Sequence, residues 1–445
     1  MNMLQFSIYF EKFGRKLVDL KFEPGLHVIY GNSGTGKSSF ITSLLGEANN
    51  NSFLNFSLNH VVKPESISVI YQNPDSQIVS PTIESELAFS FENQFQEPEA
   101  IEVGVNMVLE SLNFKPNLHQ NPLTLSGGEK ELLNIATGLS TKPKCVFIDD
   151  GLSFLSDTAK KICVEQLNNF IQSNNSIILW FTSDVNDLNF GNSCWELTLS
   201  DFKKTISGYA TDYDSVDYPN GEFQMAISNL NFNYGCDNVI SDLSIDKLTF
   251  RSFGLTGDNG SGKTTLAHLI QGIYEPNSGS FDLTHRGKPV KQIAYLDQFP
   301  ENLLMGRSFS FILDQLILQG KINVRLVSTF KKRLERFHIQ WDAIAEIDPL
   351  DLPWATLRLT FIVLLTHCEY SLILLDEPSF GLGWEQKVTL RNYLIERMKQ
   401  KHFFIISHDQ LFLNAVCDTI LDLDCKQISK PLKQNDRKEK KKKTH

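Results

Sequence analysis

Three things are scarce in this chain. No apolar run approaches the ~20 residues that a membrane-crossing helix needs; one of the longest, Phe361 to Leu365, reads only FIVLL. Any membrane role is therefore expected to be peripheral. Cysteine is sparse, seven residues in 445 with no CxxC pair, a usage that fits reduced thiols in cytosol and argues against a disulfide or zinc framework. Basic charge is not in excess either: 42 Lys and Arg against 52 Asp and Glu give a net charge of −10, which argues against a nucleic-acid coat. The exception is the end, where Lys438 to Lys443 form a basic run. It cannot pack a core and reads as a disordered, solubilising tail ahead of a contact with anionic lipid or RNA. The opening MNMLQFSIYFEKFG has no sustained apolar stretch after a basic residue and does not read as a secretory signal.

What remains is ordinary soluble composition, 41% hydrophobic and 21% charged, in a chain too long for one hydrophobic core. An internal repeat explains the length. GNSGTGKSS at 31 to 39 returns as GDNGSGKTT at 257 to 265, so Lys37 and Lys263 lie 226 residues apart. From each lysine the next landmark, Gln72 or Gln298, is 35 residues on; the carboxylates Asp149 and Asp376 follow at 112 and 113. The chain reads as a tandem duplication. In each half, strand-like segments (LQFSIYF; FQMAISNLNFNY) precede an apolar strand, a glycine loop and a helix opening at the Lys-Ser or Lys-Thr pair. Further strands are expected at Val146 to Ile148 and Ser176 to Phe181, and at Leu372 to Leu375 and Phe403 to Ile406. Strands alternating with helices imply a parallel, helix-covered sheet per half. The polar, acidic, turn-rich segment 209 to 221 is the expected linker.

GxxxxGK[ST] is a loop whose backbone N–H groups converge on phosphates, with the lysine reaching the outer ones and the next hydroxyl placed for Mg²⁺. The expected nucleotide contacts are thus Gly31, Asn32, Ser33, Gly34, Thr35, Gly36, Lys37, Ser38 and Ser39 in the first half. In the second they are Gly257, Asp258, Asn259, Gly260, Ser261, Gly262, Lys263, Thr264 and Thr265. At the ends of buried strands stand Asp149-Asp150 and Asp376-Glu377. The first carboxylate of each pair is positioned to hold Mg²⁺ through its water shell, and the second to orient or deprotonate an attacking water.

LTLSGGEKELLNIATGL, at 123 to 139, resembles the signature motif of ABC ATPases, and with both P-loops, both acidic strand ends and both glutamines the resemblance covers nearly the whole chain. It implies an α/β fold of two P-loop NTPase domains of ABC type. Each would have a RecA-like parallel sheet core, an antiparallel β subdomain and a helical subdomain. The expected domains are 1 to 208 and 222 to 430, with a basic tail from 431 to 445. In such ATPases two domains pair head to tail around two nucleotides, so the signature of one completes the site of the other. Ser126, Gly127 and Gly128 would then face a γ-phosphate held by the second half.

The halves have diverged in complementary ways. At the second signature the sequence is LPWATLRL, with Pro353, Trp354 and Ala355 replacing the serine and both glycines. In the first half Asp150 stands where the family has glutamate, and Ser183 where it has the switch histidine, present in the second half as His408. One expected composite site combines Lys263, Thr264, Gln298, Asp376, Glu377 and His408 with Ser126, Gly127 and Gly128, and is complete. Its expected catalytic residues are Glu377, His408 and Gln298. The other combines Lys37, Ser38, Gln72, Asp149, Asp150 and Ser183 with the eroded 353–355 segment, and is expected to bind ATP and turn it over slowly or not at all. Mg²⁺ is expected on Ser38, Gln72 and Asp149, and on Thr264, Gln298 and Asp376. The family's D-loop aspartate reads as Ser156 and Gly383, which lowers the expectation for communication between sites or for turnover at the complete one.

Tyr234 matches the position where the family stacks an aromatic ring on adenine, with a core tyrosine as the rival reading; in the first half Tyr9 and Phe13 stay open. The segment after Gln72, IYQNPDSQIVSPTIESELAFSFEN, resembles its counterpart in ATPases of energy-coupling-factor importers, and YLDQFPENLLMGRSF after Gln298 is similar but looser. The resemblance implies an ATPase powering uptake of a vitamin or transition-metal ion. It would sit on the cytoplasmic face of the membrane, docked by these surfaces on a transmembrane subunit, with a separate membrane protein capturing the substrate and no nucleic acid. The alternatives are a soluble tandem ABC ATPase acting on ribosomes or nucleic acid, or a nucleotide-gated regulator with little turnover.

Overall fold

The computed structural model describes residues 3–10, 15–46, 56–206, 213, 218–235, 237–258, 260–290, 292–298, 300 and 306–430. Phe13, Asn259, the basic tail and most of the expected linker lie outside the described residues. Contacts divide the chain into two units, Met1–Thr211 with Gly381–Trp384, and Asp212–Phe380 with Glu385–His445. Tyr213 and Asn220, on the expected linker, pack within the second unit: the Tyr213 ring is 5.7 Å from the Arg391 guanidinium, and Arg251 Nε donates to the Asn220 carbonyl at 3.0 Å.

The first unit is built on a six-stranded sheet in the order Ile67–Ile70, Cys145–Asp149, Ile177–Thr182, Gly25–Tyr30, Ser193–Leu197, Phe202–Thr205. All neighbours are parallel except the last pair. The central strands are apolar and buried throughout, as expected of a sheet covered on both faces. The second unit repeats the order: Ala294–Leu296, Leu372–Asp376, His402–Ile406, Ser252–Thr256, Thr419–Asp422, Gln427–Ser429. Each unit adds an antiparallel sheet, three-stranded around Leu4–Phe10 and four-stranded around Phe223–Tyr234. Helices Ile83–Glu92 and Pro98–Ser111 lie between the first Gln and the signature; Phe309–Leu318 and Val327–Leu334 occupy the corresponding stretch of the second unit. None of the described helices is long and apolar enough to cross a membrane.

This topology gathers the motifs at one edge of each sheet. The P-loop leaves the carboxyl end of Gly25–Tyr30, the acidic pair leaves Cys145–Asp149, and the switch residue leaves the strand between them, Ile177–Thr182. Ligands of open α/β sheets bind in such crevices beyond the strand ends.

Candidate functional site

Both P-loops feed a helix N-terminus through a glycine that no other residue replaces cheaply. Gly36 and Gly262, the N-caps of Lys37–Leu45 and Lys263–Gln271, both have φ 93°, a left-handed conformation open chiefly to glycine. The free N–H groups of each helix start and the following hydroxyls, Ser38 and Ser39 or Thr264 and Thr265, stand at an anion-binding terminus. Lys37 and Lys263 are buried. Lys263 Nζ donates to the carbonyls of Gly257 and Asp258, each at 2.9 Å; burial lowers its pKa, and the carboxylates Glu377 and Asp376 resist that shift. Among the described residues the Ser261 hydroxyl is buried without a hydrogen-bond partner, a donor suited to a phosphate oxygen.

Both acidic pairs fit a cation. Burial, followed by the neighbouring Asp150 charge, pushes Asp149 up to about 6, with Ser38 and Lys37 opposing. Burial, then Glu377 and Asp297, push Asp376 up to about 8, against Lys263 and a hydrogen bond from Tyr295. Asp149 Oδ1 is also buried with no partner. Crowded, poorly solvated carboxylates beside a P-loop hydroxyl gain most from a divalent ion. If Mg²⁺ binds, Ser38 with Asp149, and Thr264 with Asp376, are the residues suited to hold it and to supply charge compensation for phosphate oxygens. Gln72 and Gln298 each lie just beyond the edge strand of their sheet, two residues after Ile67–Ile70 and Ala294–Leu296.

The second carboxylates are where the halves part. Asp150 (φ 50°) and Glu377 (φ 48°) both occupy the left-handed region, sparsely populated by non-glycine residues and typical of functional turns. Each is pinned by its own N–H, Asp150 to the Phe181 carbonyl and Glu377 to that of Ile406, both at 2.8 Å. Beyond this point the side chains differ in reach. Asp150 accepts from the Ser183 N–H at 2.6 Å and the Ser183 hydroxyl at 2.7 Å. Lys37 Nζ donates to that same hydroxyl at 2.8 Å and lies 3.6 Å from Asp150 Oδ2. Each Asp150 oxygen thus accepts from the switch serine, whose hydroxyl also takes the hydrogen bond of the P-loop lysine. Glu377 accepts from the Ser407 hydroxyl at 2.7 Å and the His408 N–H at 2.9 Å, and the His408 imidazole Nε2 lies 3.9 Å from it. Burial raises the Glu377 pKa, with Ser407, Lys263, His408 and Arg358 opposing. A buried carboxylate with elevated proton affinity beside an imidazole is suited to general-base work on a water.

The signature differs equally plainly. Ser126 is the N-cap of Gly127–Ser140, reciprocally bonded with Glu129: Ser126 Oγ donates to its carboxylate at 2.6 Å and the Glu129 N–H to Ser126 Oγ at 3.4 Å. The corresponding helix Trp354–His367 starts after Pro353, which offers neither hydroxyl nor N–H. Tyr234 is 44% exposed, with its hydroxyl 3.3 Å from Thr265 Oγ1. Tyr9 is 39% exposed.

Several contacts at the site carry no motif. Tyr295 donates to Asp376 at 3.3 Å. Glu131, buried on the first signature helix, accepts from the Ser153 and Phe154 N–H groups at 3.0 and 2.9 Å. Arg358, at the matching position five residues after Pro353, is completely buried and donates to the carbonyls of Glu377, Phe380 and Gln298. The only sequence signal for it was a lone cation in the helix WATLRLTFIVLLTH, since unpaired arginine is almost never fully buried.

Comparison with known proteins identifies the family. A Bacillus subtilis (strain 168) protein provisionally named as the HMP/thiamine import ATP-binding protein YkoD is 23% identical over 412 residues, covering 80% of this chain and 74% of that one. The energy-coupling factor transporter ATP-binding protein EcfA of Pediococcus pentosaceus is 29% identical over 179 residues, 38% of this chain and 64% of that one. A solved structure described as a model of ribosome-bound archaeal Pelota and ABCE1 contains a chain of like fold, with TM-score 0.65 and 20% identity, spanning 94% of this chain and 76% of that one. The family model for the ABC transporter matches residues 16–153 and 240–380. The chain therefore belongs to the ABC transporter family as a tandem ABC ATPase, with two ATP-binding domains on one polypeptide.

Proposed function

We propose that the chain is the ATP-hydrolysing subunit of a membrane importer for a micronutrient, a vitamin or transition-metal ion, working through one complete and one degenerate composite site. The observation that carries the asymmetry is the fate of the second carboxylate. Both carboxylates accept two hydrogen bonds from their switch strand, but Asp150 faces the Ser183 hydroxyl, itself bonded to Lys37, whereas Glu377 has the His408 imidazole 3.9 Å away. In this reading the halves pair head to tail with Mg²⁺ in each site. Ser126, Gly127 and Gly128 complete the site of Lys263, Thr264, Gln298, Asp376, Glu377 and His408; Lys37, Ser38, Gln72 and Asp149 retain ATP without rapid turnover.

Closure on ATP and reopening after hydrolysis would drive an attached membrane protein. Support for a transporter partner comes from the names of the import and energy-coupling relatives. It also comes from apolar side chains exposed on either side of Gln72: Tyr71 (46%) before it, and Val79 (68%), Phe89 (47%) and Phe95 (94%) after it, since clustered exposed apolar groups favour a partner surface. Phe311 (42%) and Leu318 (78%) lie on the corresponding stretch after Gln298. The basic run Lys438 to Lys443 favours the second reading, a soluble ATPase acting on ribosomes. Purification of the tagged full chain from membranes separates the two. An importer subunit brings down an integral membrane protein, and recovery with ribosomes alone overturns the importer reading.

A further inference from the structure

The second signature helix has lost the serine hydroxyl and both glycines at its start, yet its body is wired to the acidic turn and the glutamine of its own half. Arg358 leaves the second turn of Trp354–His367 and is completely buried. Its Nη1 donates to the main-chain carbonyls of Glu377 and Phe380, and its Nη2 to that of Gln298. The guanidinium centre is 5.4 Å from the Trp354 ring and 5.2 Å from the Phe380 ring, distances at which cation–π attraction holds a fork in place. One side chain thus ties the turn after the acidic strand to the glutamine after the edge strand.

The first half handles the same position with opposite charge. Glu131 accepts from the N–H groups of Ser153 and Phe154, and the link to the segment after Gln72 is made separately, by Asn134 to the Pro74 carbonyl at 2.9 Å and by Lys130 to Asp75 at 2.7 Å. The turn itself is shared: Ser153 N–H bonds the Asp150 carbonyl at 3.2 Å and Phe380 N–H that of Glu377 at 3.1 Å. The Asp150 carbonyl takes its second donor from the neutral Ser153 hydroxyl in the same turn, whereas the Glu377 carbonyl takes a charged donor from the signature helix. Glu377 sits in a left-handed conformation, so an added bond to its carbonyl fixes an intrinsically unfavourable backbone.

We propose that Arg358 is a positioning residue for hydrolysis. It holds the Glu377 backbone and the Gln298 backbone in fixed relation, and the helix that begins after Pro353 persists as the strut carrying it. A planar fork can serve three carbonyls at once; a lysine ammonium, a single point on a flexible stem, cannot hold the same directions. The inference rests on the assignment of Glu377 and Gln298 to the working site, and Glu377→Gln is therefore measured alongside.

The test uses the full chain carrying Arg358→Lys or Arg358→Gln, with steady-state phosphate release, ATP affinity from a fluorescent nucleotide, and thermal melting. Misplacement of a catalytic group by about 1 Å can cost about a hundredfold in rate. The expected result is a fall in kcat of about tenfold or more with KM and nucleotide affinity within about threefold of the parent. A merely structural arginine would lower melting and affinity together. A folded Arg358→Lys protein with kcat within twofold of the parent overturns the proposal, as does equal loss of kcat and affinity. If neither Arg358 variant folds, Trp354→Leu, which removes one flanking ring at a partly exposed position, decides it: reduced kcat at constant KM supports the clamp and unchanged kcat refutes it. Full activity in Glu377→Gln instead removes the functional reading beneath it.

Discussion

Replacing Glu377 by glutamine separates chemistry from stability, because the structure predicts each cost independently. The carboxylate accepts from two donors, the Ser407 hydroxyl and the His408 N–H. A glutamine amide offers one oxygen and one NH₂, so one donor meets a donor unless the serine hydroxyl rotates to accept. Hydrogen bonds to charged groups contribute about 1.5–3 kcal/mol each, and with the rotation available the loss falls at the lower end. The chemical loss is larger: a positioned general base contributes about 10²–10⁴-fold, equivalent to about 2.7 kcal/mol or more in barrier. Turnover should fall at least about a hundredfold while melting drops by a few degrees. Asp150→Asn gives the mirror image. It weakens the two hydrogen bonds from Ser183 and the ion pair with Lys37 and lowers melting by a similar amount, with turnover changed less than about twofold. Steady-state phosphate release with parallel melting curves reads both. Equal losses of turnover in the two variants would refute the asymmetric assignment.

Other consequences are quick to check. Ser126→Ala should lower steady-state hydrolysis about tenfold or more, as loss of a donor to developing phosphate charge does elsewhere, although the serine belongs to the opposite half from Glu377; unaffected turnover counts against head-to-tail pairing. Tyr234→Ala should raise KM for ATP about fivefold, the equivalent of about 1 kcal/mol of lost ring contact, with kcat little changed. Acid should destabilise the second unit through His367 and His402. Burial, and for His402 then the Arg251 and His285 charges, holds each pKa near about 4. His402 Nε2 accepts from the Glu222 N–H at 3.2 Å, and His367 Nε2 from Arg333 at 2.7 Å, roles that only the neutral ring can fill. Their folded pKa values lie below the ordinary value of 6.5, so their contribution is fully present above that pH and is lost as pH falls toward 4. Melting temperature followed from pH 7 to 4.5 should decline through this window and decline less in the His367→Gln, His402→Gln double variant.

Legibility of the sequence followed the kind of constraint each residue obeys. Motifs whose backbone must wrap a ligand were plain, because Gly36 and Gly262 need an identical φ of 93° and glycine spacing records that need. The helix-covered sheets were legible for a related reason: runs such as CVFID and LILLD, apolar up to their closing aspartate, call for burial on both faces. Contacts defined by tertiary approach were not legible. Nothing in the spacing of Ser183 showed that its hydroxyl would stand between Lys37 and Asp150, since the three residues come from different segments joined only by strand order. Tyr295 and Asp376 are 81 residues apart in sequence and meet because their strands are neighbours. Arg358 announced itself solely as a misplaced charge; its three carbonyl partners lie on two loops that no periodicity connects.

The central claim, that each half has kept what the other has lost, is tested most directly by a structure of the Glu377→Gln full chain with Mg²⁺ and ATP. The account predicts Ser126 and His408 on opposite sides of one γ-phosphate, that of the nucleotide gripped by Lys263. Ser126 beside the nucleotide of Lys37, or the two residues around different triphosphates, would contradict it.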